Sequence, residues 1–272
     1  MIELAPRHKT GLVLKSPVMP AGGFFGYGAP VYHGLLSADQ FGALVTGPIT
    51  LRPQPHQAPP QVVETSGGIL INTLPTNPGV RKVINLYSKY WRRSGRPVIA
   101  QLPADLPEDL ARTAGALAGL ETIAAFELIL PPEANPNDLP IWIDTLMTRS
   151  ELPILLKLPF AEPLPFAEAA VEAGVDALVL SSPPLGLGVE ADSTPFRGHY
   201  YGAGILPQLL PRLTNMHQRF PETPLIACGG IHTPVDVRSC LQLGAAAVQL
   251  DTVIFTNPLQ TQRILAANRP GT

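Results

Sequence analysis

The chain has 272 residues, of which 45% are hydrophobic and 15% charged, and its formal net charge is −2. Such a chain can bury a large core, and the absence of any basic run argues against a nucleic-acid partner. No apolar run reaches the ~18 residues of a membrane span, and the N-terminal residues lack the long apolar stretch of a signal peptide. We therefore expect a cytoplasmic protein with a small-molecule substrate. Cys228 and Cys240 have neither metal-binding nor redox spacing, so we expect buried free thiols and no metal site.

Eight short apolar runs follow one another along the chain, and most of them are apolar on both faces. They are PVMPA (17–21), ALVTG (43–47), PVIAQL (97–102), AAFELIL (124–130), PILLKL (153–158), ALVLSS (177–182), PLIACG (224–229) and AAVQLD (246–251). Runs of this kind are typical of a parallel sheet that helices cover on both sides.

Helical patterns separate the later strands. PEDLARTAGALAGL begins with a proline and two acids, and PFAEAAVEAGV ends at a glycine. TPVDVRSCLQLGA has Thr233 as a cap, Pro234 at the first helical position and Gly244 as a stop. Eight strands with helices between them in about 250 residues predict a single (β/α)8 TIM barrel, one domain over residues 1–272. A doubly wound open sheet is the alternative.

Two long irregular stretches follow the second and sixth strands, from Arg52 to Leu74 and from Gly186 to Gly204. Barrels place their chemistry in the loops at the carboxyl ends of the strands. Five residues that end apolar runs are therefore expected at one mouth of the barrel: Gly47, Lys157, Ser182, Gly229 and Asp251. Tyr200 and Tyr201 lie in the second stretch, where they form either a lid or a partner surface.

The glycine turn between the last two strands presents a conflict of charge. Gly229 and Gly230 can expose backbone N–H groups, and the helix from Pro234 points its positive end the same way, which favours a phosphate. Asp251 places a negative charge beside that turn. The alternatives are a tight turn that holds no ligand, and an Asp251 that caps a helix or bonds to Thr252, turned away from the pocket.

Five segments, taken in their order along the chain, resemble the soluble, FMN-dependent dihydroorotate dehydrogenases. They are SPVMPAGGFFGYG (16–28), GALVTGPITLRPQPHQAPPQVVETSGGILINTLPTNPGV (42–80), LPILLKLP, EAGVDALVLSS and CGGIHTPVDVRSCLQLGAAAVQLDT (228–252). The resemblance implies a barrel that binds FMN and oxidises dihydroorotate to orotate in pyrimidine biosynthesis.

The resemblance also implies the candidate site residues. Lys157 would stabilise the negative charge of a reduced flavin, with a salt bridge at the barrel mouth as its alternative, and Asn72 and Asn77 complete the catalytic candidates. Glycines at the end of the first strand let backbone approach a flat ring, because they have no Cβ. The cofactor-binding candidates are Ala21, Gly22, Gly23, Lys157, Ser182, Gly202, Gly229, Gly230, Asp251 and Thr252.

The chain departs from the family where the family's chemistry lies. A family lysine after strand two is replaced by Gly47. The asparagine and the catalytic base after strand four are replaced by Ile129 and Pro132, and neither side chain can take a proton. Glu133 is adjacent, either as a displaced base or as a solvated loop acid.

Further departures affect the cofactor and the substrate. After strand six the family's asparagine and hydroxyl residue read Ser182 and Pro183, a glycine pair near the phosphate reads Gly198 and His199, and a glycine after strand eight reads Asp251. The segment between Asn72 and Asn77 is one residue short. His199 either offsets the charge of Asp251 or is a surface loop histidine.

Three functions follow from these observations. The first is an FMN-dependent oxidoreductase that acts on CH–CH groups. The second is a catalytically degenerate family member that binds another ligand or serves as a subunit, with a second copy or an electron-transfer subunit as partner. The third is a non-flavin barrel enzyme of phosphorylated substrates. Dihydroorotate oxidation is expected to be absent or far below the family's rate. Any FMN phosphate is expected near Gly229, Gly230 and Pro234.

Overall fold

The structure is a computed structural model that describes residues 1–29, 34–55, 62–72, 76–189 and 194–269. The strands in these ranges are β1 (Ile2–Glu3), β2 (Val13–Leu14), β3 (Val18–Pro20), β4 (Leu44–Val45), β5 (Val62–Thr65), β6 (Gly68–Ile71), β7 (Val98–Pro103), β8 (Ile123–Ile129), β9 (Ile154–Lys157), β10 (Ala177–Leu180), β11 (Leu185–Val189), β12 (Pro195–Tyr201), β13 (Leu225–Cys228) and β14 (Ala245–Leu250). The α-helices are α1 (Val80–Ser94), α2 (Pro107–Ala118), α3 (Leu139–Arg149), α4 (Pro163–Glu172), α5 (Leu206–Arg219), α6 (Pro234–Gln242), α7 (Val253–Thr256) and α8 (Pro258–Ala267).

Eight parallel strands form a nearly closed barrel, in the order β3-β14-β13-β10-β9-β8-β7-β4. The remaining gap lies between β3 and β4, and the Gly42 N–H crosses it to donate to the Val18 carbonyl at 2.8 Å. Neighbours in the sheet are neighbours in chain order all the way round, whereas a doubly wound sheet reverses that order. The predicted (β/α)8 barrel is confirmed, and all eight predicted strands are present.

The interior of the barrel is apolar at the end where the strands begin. Small and branched side chains from successive strands form one buried cluster there, including Met19, Ala43, Val45, Ile99, Ala125, Leu155, Ala177, Val179, Ile226 and Ala247. Leu4, Leu12 and Leu14 from the β1–β2 segment belong to the same cluster. This apolar plug leaves the opposite end, where the strands terminate, as the place for polar chemistry.

The helices pack around the barrel with the local signals that the sequence provides. Thr233 caps α6: its hydroxyl accepts from the Asp236 N–H at 3.2 Å, and Asp236 reaches back to the Thr233 N–H at 2.8 Å. Such a reciprocal pair satisfies donors that a helix start leaves free. Gly174 and Gly244 follow α4 and α6 with φ of 92° and 107°, a backbone region that favours glycine. The predicted cap and stops are confirmed. None of the helices in the described ranges is long and apolar enough to cross a bilayer.

The two stretches expected to be irregular contain strands, and that expectation was wrong. β5, β6, β11 and β12 form an antiparallel four-stranded sheet in the order β11-β12-β6-β5. Glycines conceal these strands in the sequence, since glycine is depleted in strands. In β11 they are needed for packing: a Cβ on Gly186 would lie 2.7 Å from Leu70 of β6. Residues 56–61, 73–75 and 190–193, within the two stretches, lie outside the described residues.

Candidate functional site

A buried polar cluster lies above the apolar plug, towards the mouth of the barrel. Glu127 of β8 is fully buried and accepts hydrogen bonds from two amides, Gln101 Nε2 at 2.7 Å and Gln249 Nε2. Lys157 Nζ donates to Gln249 Oε1 at 2.9 Å and lies 3.9 Å from Glu127 Oε1. Four strands thus each contribute one polar side chain to a connected network, in which the charges are paired and hydrogen-bonded as buried charges must be.

The Lys157 ammonium is surrounded by polar and acidic side chains. Its Nζ also donates to Cys228 Sγ at 3.3 Å. Burial by itself lowers the pKa of the Lys157 ammonium, but Cys228, Glu127 and Asp251 outweigh burial and raise that pKa. Burial in turn raises the pKa of the Cys228 thiol to about 11, so the thiol is neutral near neutral pH. Glu127 is therefore the close anionic partner, and the salt bridge considered for Lys157 is present.

The backbone after β3 lines the mouth beside this cluster. Ala21 is buried and its N–H donates to the Leu250 carbonyl at 2.7 Å. A Cβ on Gly22 would lie 2.0 Å from Nε2 of Gln101, so only glycine fits against the polar cluster. Gly23 has φ of 89°, and no atom of the described residues lies within 4 Å of a Cβ placed on it. The backbone after β3 is thus closely packed at Gly22, whereas the space beside Gly23 is open among the described residues.

Gly47, which follows β4, stands where the family has a lysine and brings no positive charge to the mouth. Its N–H donates to the Gly26 carbonyl at 2.7 Å, and a Cβ placed on it would lie 3.4 Å from the ring of Tyr27. Tyr27 itself donates to the Pro48 carbonyl at 2.9 Å. An aromatic ring therefore borders the position at which the family places a lysine.

Asp251 is buried beside the glycine turn and is hydrogen-bonded to its neighbour Thr252. It is 3% exposed, and its Oδ1 accepts from the Thr252 N–H at 2.6 Å and the Thr252 hydroxyl at 3.2 Å. Burial raises the pKa of the Asp251 carboxyl, while His232, the Thr252 donors and the Gly230 N–H act in the opposite direction. The bond to Thr252 is the one considered from the sequence, and Asp251 lies beside Gly230 because the two residues follow the paired ends of β13 and β14.

The donors at the start of α6 are also satisfied internally. The N–H groups of His232 and Thr233 donate to Asp236 Oδ2 at 2.9 and 2.8 Å. Nε2 of His232 is buried and has no hydrogen-bond partner among the described residues. Two carboxylates, Asp236 and Asp251, therefore accept hydrogen bonds at or beside the turn, and Nε2 of His232 remains unsatisfied among the described residues.

The four-stranded sheet reaches the mouth through its aromatic residues. The ring of Tyr201 packs edge-on against Phe24 with centroids 5.1 Å apart, and Phe24 stacks on Phe255 at 5.9 Å. Burial, followed by the charge of Asp251, raises the pKa of Tyr201. Tyr200 instead donates its hydroxyl to the Gly67 carbonyl at 2.7 Å. Tyr201 thus lies beside the mouth, whereas Tyr200 fastens two strands of the sheet.

The two asparagine candidates occupy different environments. Asn72 is exposed directly after β6. Asn77 is buried, and its Oδ1 accepts from the Gly79 N–H at 2.9 Å and from the hydroxyl and N–H of Thr50 at 3.0 and 3.3 Å. These bonds hold the loop that precedes α1. A substrate role for either asparagine stays a prediction.

The remaining cofactor candidates contribute backbone rather than free polar groups. Ser182 donates its N–H to the Leu158 carbonyl at 2.8 Å. A Cβ on Gly202 would lie 2.5 Å from the Gly67 carbonyl, so the chain passes closely there. His199 Nδ1 lies 3.2 Å from the Pro183 carbonyl. Among the histidines, His232 and not His199 is the neighbour of Asp251 that affects its pKa.

The loop after β8 offers little to a proton-transfer reaction. Ile129 is the last residue of the strand, and Pro132 and Glu133 are exposed in the turn that follows. Glu133 thus lies in the solvated position that the sequence allowed as one alternative.

The sequence patterns described above do not indicate a functional role for Gln101, Glu127, Gln249 or His232. A signal for the first three was available, because each is the one strongly polar residue within an otherwise apolar barrel strand. In a strand that is buried on both faces, such a residue must have a partner. His232 carries no comparable signal, since its position beside Asp251 depends on the fold.

The chain is a (β/α)8 protein with a buried lysine and a glycine turn at one mouth, and barrels of this class place their ligand sites at the carboxyl ends of the strands. Residues 7–128 match the family described as dihydroorotate dehydrogenase. The chain is 30% identical to the catalytic subunit of dihydroorotate dehydrogenase B (NAD(+)) of Pelobacter propionicus, over 93% of this chain and 88% of that protein. The corresponding subunit of Desulforudis audaxviator is 30% identical, over 91% and 86%. A putative dihydroorotate dehydrogenase A (fumarate) of Aquifex aeolicus is 28% identical, over 94% and 89%.

The chain therefore belongs to the dihydroorotate dehydrogenase family, and the resemblance is confirmed. The predicted dihydroorotate dehydrogenase-like oxidoreductase is confirmed at the level of the family.

The mouth fits the two ends of FMN differently. At the ring end, Gly23 leaves open space and Lys157 supplies a buried ammonium. At the phosphate end, both Thr252 donors already bind the buried carboxyl group of Asp251, beside the glycine turn. When ionised, Asp251 would repel a phosphate group, so the residues of the turn fit the phosphate end of FMN poorly.

Proposed function

We propose that this chain is a flavin-type oxidoreductase barrel of its family in which the oxidation of dihydroorotate is lost or greatly slowed. The observation that supports it is the loop after β8, where Ile129 and Pro132 stand at the positions of the asparagine and the base. General-base catalysis is worth about 10²–10⁴-fold in rate. Without it, an orthodox reaction would fall by that factor.

Three other titratable groups near the mouth do not supply a replacement. Burial keeps the Cys228 thiol neutral, with a pKa of about 11, and also raises the pKa of Tyr201. Glu127 is fully buried and both its oxygens accept from amides. A base must reach the proton that it removes and must be deprotonated at the working pH. These three groups each fail one of the two requirements.

Lys157 is the residue whose role in a flavin site is best supported. A flavin, when bound, supplies a hydride acceptor, and a nearby ammonium stabilises the negative charge of its reduced form. The raised pKa of Lys157 keeps that ammonium charged. Because Gln249 and Glu127 orient Nζ, the cation needs little reorganisation in the reaction.

The visible absorption of the purified full-length protein, before and after incubation with flavins, tests this proposal. We expect a yellow protein with the absorption of an oxidised flavin. In the variant Lys157→Met, bound flavin should become harder to reduce, with circular dichroism as the check that the variant folds. A colourless protein that takes up no flavin would contradict the proposal and favour a degenerate or non-flavin barrel.

We further propose that β11 is a contact surface for a protein partner. Its alternate side chains Leu185, Leu187 and Val189 are 71%, 63% and 66% exposed, and β11 is an edge strand of its sheet. An exposed apolar edge strand is a ready template for pairing with another chain. Several relatives are named as catalytic subunits, which supports a partner subunit here.

Substitution of Leu187 by Lys tests this contact. Light scattering of the wild type should show a species larger than one chain, either alone or with an added electron-transfer subunit, and Leu187→Lys should dissociate it. Ile141→Lys is the matched control, because Ile141 is a similarly exposed apolar residue on α3. A monomer with no partner, or equal behaviour of the two variants, would contradict the proposal.

A further inference from the structure

We infer that the Asp251 carboxylate takes the place of a ligand phosphate at the glycine turn, so that the mouth selects a flavin with an uncharged polyol chain over its phosphorylated form. The inference rests on the proposed flavin-type function. Riboflavin is the probe for the first kind of ligand, and FMN, the same molecule with a terminal phosphate, is the probe for the second.

The carboxylate occupies the donors on which such a turn depends. Backbone N–H groups at a glycine turn and helix start bind anions because they present positive ends of dipoles. Here both Thr252 donors bind Asp251, and Gly230 lies beside Asp251 because the two residues follow the paired ends of β13 and β14. Asp236 binds the N–H groups of His232 and Thr233, just before α6. A phosphate would have to displace a buried carboxylate to use the first set.

Packing explains why both residues of the turn are glycines. A Cβ on Gly229 would lie 2.9 Å from Cγ2 of Ile205, and one on Gly230 would lie 2.5 Å from the Leu206 N and 3.1 Å from the Ala203 carbonyl. Both glycines are buried, with φ of 127° and 70°. Their glycine identity is thus explained by contact with the start of α5, without any bound anion.

The groups left beside Asp251 suit hydroxyls. A carboxylate oxygen accepts from a hydroxyl, whereas it repels a phosphate. Nε2 of His232, which has no partner among the described residues, can bond to a hydroxyl in either tautomer, because a hydroxyl both donates and accepts. An uncharged polyol chain can therefore satisfy both residues, and a phosphate can satisfy only the histidine.

Charge repulsion sets the expected size of the preference. Above the raised pKa of Asp251, where its carboxyl group is ionised, two unit charges about 5 Å apart at an effective dielectric of about 20 repel by about 3 kcal/mol, which is roughly a hundredfold in affinity. The wild type should bind riboflavin more tightly than FMN. Asp251→Asn keeps the shape and removes the charge, so it should raise FMN affinity relative to riboflavin by roughly that hundredfold.

The experiment is a fluorescence titration of riboflavin and FMN on the full chain, on Asp251→Asn and on Asp251→Gly, with circular dichroism as the check of folding. Asp144→Asn is the matched control, because Asp144 is an exposed acid on α3 and its removal changes net charge equally. It should leave the ratio of affinities unchanged.

The outcomes are distinguishable. Tighter binding of riboflavin by the wild type, with a preference that shifts only in the Asp251 variants, supports the inference. Tighter binding of FMN by the wild type, or equal shifts in the control, overturns the inference and leaves the proposed flavin function standing. No binding of either flavin to any of the proteins overturns both.

Discussion

The buried pair of Glu127 and Lys157 gives the sharpest stability prediction. Glu127→Gln removes the anion from a pair whose charges lie 3.9 Å apart and whose side chains are 0% and 7% exposed. At an effective dielectric of about 20 that separation corresponds to about 4 kcal/mol of attraction. Breaking a buried pair by changing one partner typically costs about 3–5 kcal/mol, since the other charge stays buried. We expect a loss of about that size.

Urea unfolding, followed by circular dichroism and extrapolated to water, measures this loss. Glu168→Gln is the matched control: Glu168 forms a 3.0 Å pair with Arg219, but their side chains are 47% and 63% exposed. Such surface pairs contribute about 0–1 kcal/mol. The double variant Glu127→Gln with Lys157→Met removes both charges and should be less destabilised than the sum of the two single variants. A Glu127→Gln loss as small as that of the control would refute the argument that Glu127 holds the lysine.

Two further predictions concern Asp251 and the thiols. Because burial raises the pKa of Asp251, the folded protein holds that proton more tightly than the unfolded chain, and its contribution to stability falls as the pH rises through the folded pKa. The stability of Asp251→Asn relative to wild type should therefore increase as the pH rises above about 4 in thermal unfolding, and a difference independent of pH would contradict this. Cys228 and Cys240, with pKa values raised by burial to about 11 and 12, should resist a thiol reagent at about pH 8 until the protein is denatured, whereas rapid modification of the native protein would show that they are accessible.

The barrel was predictable because its signal is local. Strands such as Ile154–Lys157 are apolar on both faces, and the start and stop of α6 lie in its own residues. The four-stranded sheet was not predicted, because Gly186 and Gly188 make β11 resemble a loop in the sequence. The folded structure explains these glycines, since a Cβ on either of them would lie within 3 Å of Leu70 in β6.

The site was predictable only in part. Lys157 could be found because it ends an apolar run, and its pairing was foreseen as an alternative. Its partner Glu127 was not, although a single acid in a buried strand requires a counter-charge. The role of Asp251 could not be read from the sequence. Its contact with Gly230 depends on how β13 and β14 align, and that alignment is a property of the folded barrel.

The most direct test of the account is the rate of dihydroorotate oxidation. The purified chain, supplied with flavin and a common electron acceptor, should be compared with a catalytic relative measured under the same conditions. We expect a rate at least about 10²-fold lower, because Pro132 stands at the position of the base in the loop after β8. A rate within about tenfold of the relative would contradict it, since that result would show that Glu133, His199 or another residue removes the proton.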